Sequence, residues 1–204
     1  MSCDDCHMEA TNAEQRRVLV TLLAINGAMF VAEIVVGIVA QSSGVIADSL
    51  DMLADALVYG VGLYAIGKTA AVKQGAARWA GWFQLTLAVS IVVDLVRRAV
   101  VGSEPHSTLM MVIAAVALVA NAYCLRLLQK HREGEVHMRA SWIFTRSDVI
   151  ANVGVIMAGA LVRVTDSRWP DLIVGAAIAA VVIKGGIEIL RTASDRDAVV
   201  SPQR

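Results

Sequence analysis

Asp48, Asp51 and Asp55 stand at i, i+3 and i+7 in the segment Gly44-Val-Ile-Ala-Asp-Ser-Leu-Asp-Met-Leu-Ala-Asp-Ala56, which is otherwise apolar but for one serine. At about 100° per residue, a helix brings these carboxylates to nearly one azimuth. Left ionised and unpaired they would repel one another, and each acid at the centre of a membrane helix costs about 2.5 to 3.5 kcal/mol even on a lenient scale. The stripe therefore calls for a polyvalent cation, for protons, or for both. A second polar stripe follows later in the chain: Asp148 and Asn152, one helical turn apart, with Arg146 and Ser147 beside them. Facing each other, the two stripes would make an oxygen-rich cage of the kind a divalent cation needs when it gives up its water. Asp51, Asp55 and Asp148 are the expected ligands. Asp48, one turn earlier in its helix, reads either as a ligand or proton relay or as an acceptor of helix-cap or interhelical hydrogen bonds.

The elements that must position these groups are membrane helices. The chain has 204 residues, 57% hydrophobic and 18% charged, with a mean hydropathy of +0.63, a composition of integral membrane proteins. A bilayer core of about 30 Å takes roughly 20 helical residues, and six apolar stretches of that length are expected at 17–40, 43–66, 79–101, 107–128, 138–163 and 169–190. The fold class is all-α, a polytopic membrane protein with six transmembrane helices. Twelve Lys and Arg residues then fall on the side of the termini and four (Arg97, Arg98, Arg163 and Arg168) on the other. The positive-inside rule accordingly places both termini in the cytosol. The domains expected are a cytosolic tail at 1–15, a six-helix transmembrane domain at 16–190 and a short tail at 191–204. The acidic, polar amino terminus lacks the basic region and cleavage site of a signal peptide, so the first span is expected to be retained.

Other functions find little support. Eighteen basic and eighteen acidic residues cancel, so no net field or basic patch recruits nucleic acid. No Ser or Cys stands beside a base and no glycine-rich loop could cradle phosphate, so no enzyme is expected. The methionines read as span packing, and Asp94 with Arg97 and Arg98 as ion pairs at the outer membrane boundary. Cys3, Cys6 and Cys124 suggest no disulfide framework. Cys3-Asp-Asp-Cys-His7 matches a haem-attachment pattern, which gives one rival reading, a membrane haem or redox protein. That reading requires His pairs inside the spans, and His7, His106, His131 and His137 all lie outside their depths. A tail that collects metal through two thiolates and an imidazole is a further option. The other rival is a membrane metal sensor that binds without transporting.

With both stripes in place, the chain resembles the transmembrane domain of the cation diffusion facilitator family, proton-coupled exporters of divalent transition metals. Asn26, Glu33 and Gly37 resemble that family's first-span pattern; Ser43 to Asp48 and Asp51-Met-Leu-Ala-Asp55 resemble its second-span motif. Arg139 to Asp148, then Val149 to Gly154, resemble the fifth-span motif, and Trp169-Pro-Asp171 the start of the sixth span. The resemblance covers roughly residues 16 to 190. It implies export of zinc through the aspartate site by alternating access, protons displacing the metal, in a homodimer within the cell inner membrane. Metal, protons and lipid would be the partners, and no resident cofactor is implied. Two departures stand out. The position four before Asp148, usually His or Asp, is Phe144, which cannot ligate; Asn152, Ser147 or water would have to complete the shell. Such a harder site shifts weight from zinc towards iron, manganese or cobalt, with cadmium also open. The family's usual carboxyl-terminal cytosolic domain is also not expected here, which would leave dimerisation to the spans.

Overall fold

The computed structural model describes residues 3–65, 68–129 and 136–200. It contains six helices in chain order: α1 (Cys3–Val39), α2 (Ser43–Ala65), α3 (Ala70–Val101), α4 (Ser107–Leu128), α5 (Val136–Thr165) and α6 (Trp169–Val200), with no strand among the described residues. The protein is an all-helical, multi-pass membrane protein. Five of the helices are long and apolar enough to cross a membrane. The exception is α2. It has 23 residues, and every window of 18 within it contains all three aspartates, so its acids alone set it apart. Helices α1, α3 and α6 run beyond the expected spans because their extensions are rich in good helix formers, such as the four alanines with Lys73, Gln74 and Arg78 ahead of the apolar part of α3, which outweigh Gly75.

Three pairs form the framework, α1 with α2, α4 with α5 and α3 with α6, and α2 alone touches all five other helices. That central place lets α2 carry acids, since its neighbours shield them from lipid. The core between the helices is lined by Met29, Val45, Met52, Ile91, Met110, Val155 and Val182, while valines such as Val35, Val93, Val119 and Val164 face outwards. In lipid no hydrophobic force drives helices together, so close contact depends on small residues and satisfied polar groups. Helices α3 and α6 pack tightly at Gly81 and Gly186: a Cβ on Gly81 would lie 2.8 Å from Leu190 Cγ and one on Gly186 2.9 Å from Leu85 Cδ2.

The short connections gather at one end of the bundle. The His106 N–H donates to the Ala40 carbonyl at 2.9 Å, and Arg168 donates to the Ala99 carbonyl at 3.2 Å. At the same end, Asp94 pairs with Arg97 at 2.8 Å and with the buried Arg98 at 2.7 Å, as expected of a boundary ion pair.

Candidate metal centre

The position of the acidic helix is fixed at its first turn. Helix α1 ends in a Schellman motif, with Gln41 in the left-handed region (φ 50°), the Ser42 N–H donating to the Gly37 carbonyl and the Gln41 N–H to Ile38. Ser42 then caps α2, its Oγ accepting from the Val45 N–H at 3.1 Å and donating to Asp171 Oδ1 at 2.6 Å. The Asp171 carboxylate, reaching across from α6, also accepts from the N–H groups of Ser43 (2.7 Å) and Gly44 (2.9 Å). Three orphan donors of α2 are thereby satisfied, and a carboxylate sits where the helix dipole favours it. Gly44 leaves the room, since a Cβ there would lie 2.9 Å from Asp171 Oδ1.

Below that cap, α2 and α5 run antiparallel and bring the two polar stripes together at two levels. At the level nearer the cap, Asp48 Oδ2 accepts a short hydrogen bond from Asn152 Nδ2, and Asn152 Oδ1 accepts from Asn121 Nδ2 of α4 at 3.1 Å. All three side chains are buried, as is Glu33 of α1. The Glu33 carboxyl faces Asp48 within hydrogen-bond reach and lies near Asp51; no N–H or hydroxyl donor reaches either of its oxygens, so only a proton on one of the two carboxyls could join them. At the deeper level, Asp55 and Asp148 face each other across α2 and α5. The Tyr59 hydroxyl donates to Asp55 Oδ2 at 3.0 Å and lies 3.1 Å from Thr145 Oγ1, while Asp148 Oδ2 is buried without a partner. Cys124 of α4 is a free, fully buried thiol within the electrostatic reach of Asp55 and Asp148. Asp51 lies between the levels, partly buried and within the electrostatic reach of Asp48 and Asp55.

Of the residues singled out in the sequence, Asp48, Asp51, Asp55, Asp148 and Asn152 thus all turn towards one interior region of the bundle. Asn152 presents an amide N–H to Asp48 and uses its oxygen on Asn121, which makes it a holder of Asp48 in this arrangement. Among the described residues no three His, Cys, Asp or Glu side chains are drawn close enough to form a ready coordination shell. Nor do the nearest arginines of the described residues bridge the acids: Arg97 pairs with Asp94, and the exposed Arg146 lies over the Trp142 ring, 5.8 Å from its centre. The side chains of Cys3, Cys6, His7, His137 and Phe144, and all of His131, lie outside the described residues. Sequence reasoning missed Tyr59, Thr145, Asn121 and the capping role of Asp171. Tyr59 was within reach, because it continues the acidic stripe one turn past Asp55.

The model of the cation efflux transmembrane domain matches residues 19–196, most of the chain. The chain belongs to the cation efflux family. Among the similar proteins is the metal cation efflux system protein CzcD of Cupriavidus metallidurans, 27% identical over 167 residues, which are 76% of this chain and 53% of that protein. The zinc transporter ZitB of Yersinia pseudotuberculosis is 24% identical over 88% of this chain and 62% of its own length. A cadmium, cobalt and zinc/H(+)-K(+) antiporter of Bacillus subtilis is 22% identical over 91% of this chain and 63% of its own. The cation efflux chain described here thus spans between about half and two thirds of the length of these relatives. The family is one of cation efflux proteins of the membrane, and the matched region is its transmembrane domain.

Proposed function

We propose that the protein exports a divalent transition metal cation from the cytosol in exchange for protons, with Asp51, Asp55 and Asp148 as the ligands that carry the cation across the middle of the membrane. The observation that carries this reading is the buried meeting of Asp55 and Asp148 from two helices, with no Lys or Arg of the described residues bridging them. Two carboxylates held face to face in a membrane interior are stable only when a cation or a proton stands between them. Exchange follows from the same chemistry, since each proton taken up removes a charge that held the metal. Asp51, free of the hydrogen bonds that tie Asp48 and Asp55, is placed to close on a cation that these two acids have already attracted. Tyr59 and Thr145 keep Asp55 oriented, and Asp48 and Asn152 complete the polar lining.

Zinc is the first cargo to test, supported by the names of the relatives, with cadmium and cobalt next and with manganese and iron favoured by an oxygen-rich donor set. The protein would act as a homodimer in a bacterial-type inner membrane, with both termini in the cytosol. The test is metal uptake into proteoliposomes across an imposed pH gradient, comparing the parent with Asp55→Asn and Asp148→Asn. Gradient-driven uptake in the parent, lost in both variants, is expected, since an intramembrane acid of this kind is functional by default. Metal binding without flux in the parent would overturn transport and leave a sensor.

A further inference from the structure

We infer that Glu33 and Asp48 form a second cation station, distinct from Asp51, Asp55 and Asp148 and one helical turn nearer the capped end of α2. The inference rests on the proposed transport reading for its purpose but not for its geometry. Glu33, on α1, is fully buried, and apart from the Asp48 carboxyl within hydrogen-bond reach neither of its oxygens has a partner. Two interior carboxyls this close, with no N–H or hydroxyl donor on Glu33, are costly unless a bound cation or proton joins them. The amides at that level are already engaged in holding something: Asn121 donates to Asn152 at 3.1 Å, and Asn152 donates to Asp48. This amide chain fixes Asp48 from the α5 side and leaves Glu33 to face it from the α1 side. Two carboxylates from different helices, one of them immobilised, are a hard-donor pair suited to a divalent cation.

The spacing gives the station a role. Along α2, Asp48 is about 10 Å from Asp55 and about 4.5 Å from Asp51 at 1.5 Å per residue. Asp51, partly buried and in the electrostatic reach of both levels, therefore stands on the path between them without belonging to the second station. A cation leaving Asp55 and Asp148 would keep Asp51 as a ligand while it gained Glu33 and Asp48, so that it never stands without a carboxylate. The station lies on the side of the short connections, where Asp171 and Ser42 fix the start of α2.

The test counts bound cations on the purified full-length chain, stripped with chelator and equilibrated with manganese(II), which favours oxygen ligands. Four proteins are compared: the parent, Glu33→Gln, the triple variant Asp51→Asn/Asp55→Asn/Asp148→Asn, and the combination of all four substitutions. The station predicts two manganese ions per chain in the parent, one in Glu33→Gln, one in the triple variant and none in the combination. Binding of one ion by the parent and none by the triple variant would overturn the station and leave the central site standing. One ion retained by the triple variant and lost in Glu33→Gln would support the station and remove the central site instead. No binding by the parent would overturn both. Should the triple variant aggregate, the isosteric Glu33→Gln decides alone: a count equal to the parent's overturns the station.

Discussion

The Tyr59 hydroxyl determines how Asp55 can be used, because it fills one lone pair of Oδ2 and is itself held at 3.1 Å from Thr145 on the facing helix. A ligand orientated in this way loses less freedom when a cation arrives. Tyr59→Phe removes the donor without changing the ring, and outer partners of metal ligands typically contribute about 10- to 100-fold to affinity. The variant is expected to bind zinc about tenfold more weakly by calorimetric titration while losing only about 1 kcal/mol of stability; unchanged affinity would reduce Tyr59 to a packing residue. The acids themselves were legible in the sequence, because three charges at helical spacing in an apolar segment are too costly to be kept without a use. The residues that hold them were not. Tyr, Thr and Asn are common in spans, and only a partner on another helix distinguishes a positioning group from an ordinary one. Asn121 shows this well, since its value lies in the Asn152 oxygen it occupies, 31 positions away in the chain.

At the scale of elements, the acidic stripe works only if α2 keeps its height and rotation relative to α5, and the cap by Asp171 sets both. That carboxylate takes hydrogen bonds from Ser42 Oγ and from the N–H groups of Ser43 and Gly44, so α6 grips the start of α2 directly. Loss of one capping side chain costs about 0.5 to 2 kcal/mol, and unpaired buried donors add to that. Asp171→Ala is therefore expected to lower the melting temperature in detergent clearly and to reduce flux without touching the acids, whereas Asp171→Asn, which retains one carbonyl acceptor, should fall between. The α3 and α6 contact gives a second check. Gly81→Val would drive a side chain into Leu190 and the Gly186 carbonyl, and overpacking of this kind costs about 1 to 3 kcal/mol; a melting temperature equal to the parent's would mean that the helices part freely there. The helices could be placed from apolar length alone, but their ends could not. The extensions of α1, α3 and α6 are polar and helical at once, and hydropathy sees only the first property. The central position of α2 was likewise hidden, although its acids required shielding from lipid on every side.

At the scale of the whole molecule, the distribution of charge and the arrangement of connections make a joint statement about orientation. The connections after α1, α3 and α5 meet at one end, where Asp94, Arg97, Arg98 and Asp171 form a compact, mutually neutralising set. Lys68, Arg78 and Arg126 belong to the opposite ends of their helices and make that side the more basic one. A bilayer that holds positive loops on the cytosolic side would place the termini there as well. On the proposed export route, the cargo would load from the cytosol at the deeper acids, Asp55 and Asp148, and leave past Asp48. The orientation can be read by labelling with a membrane-impermeant maleimide after Cys3, Cys6 and Cys124 are changed to Ser. Glu104→Cys, at an exposed position in the connection between α3 and α4, should react in intact cells. Lys68→Cys, exposed at the other end beside the Tyr64 ring, should react only after the membrane is permeabilised. The reverse pattern would put the deeper acids and the termini on the outside and overturn the cytosolic placement of the termini, while the direction of exchange would still follow the proton gradient.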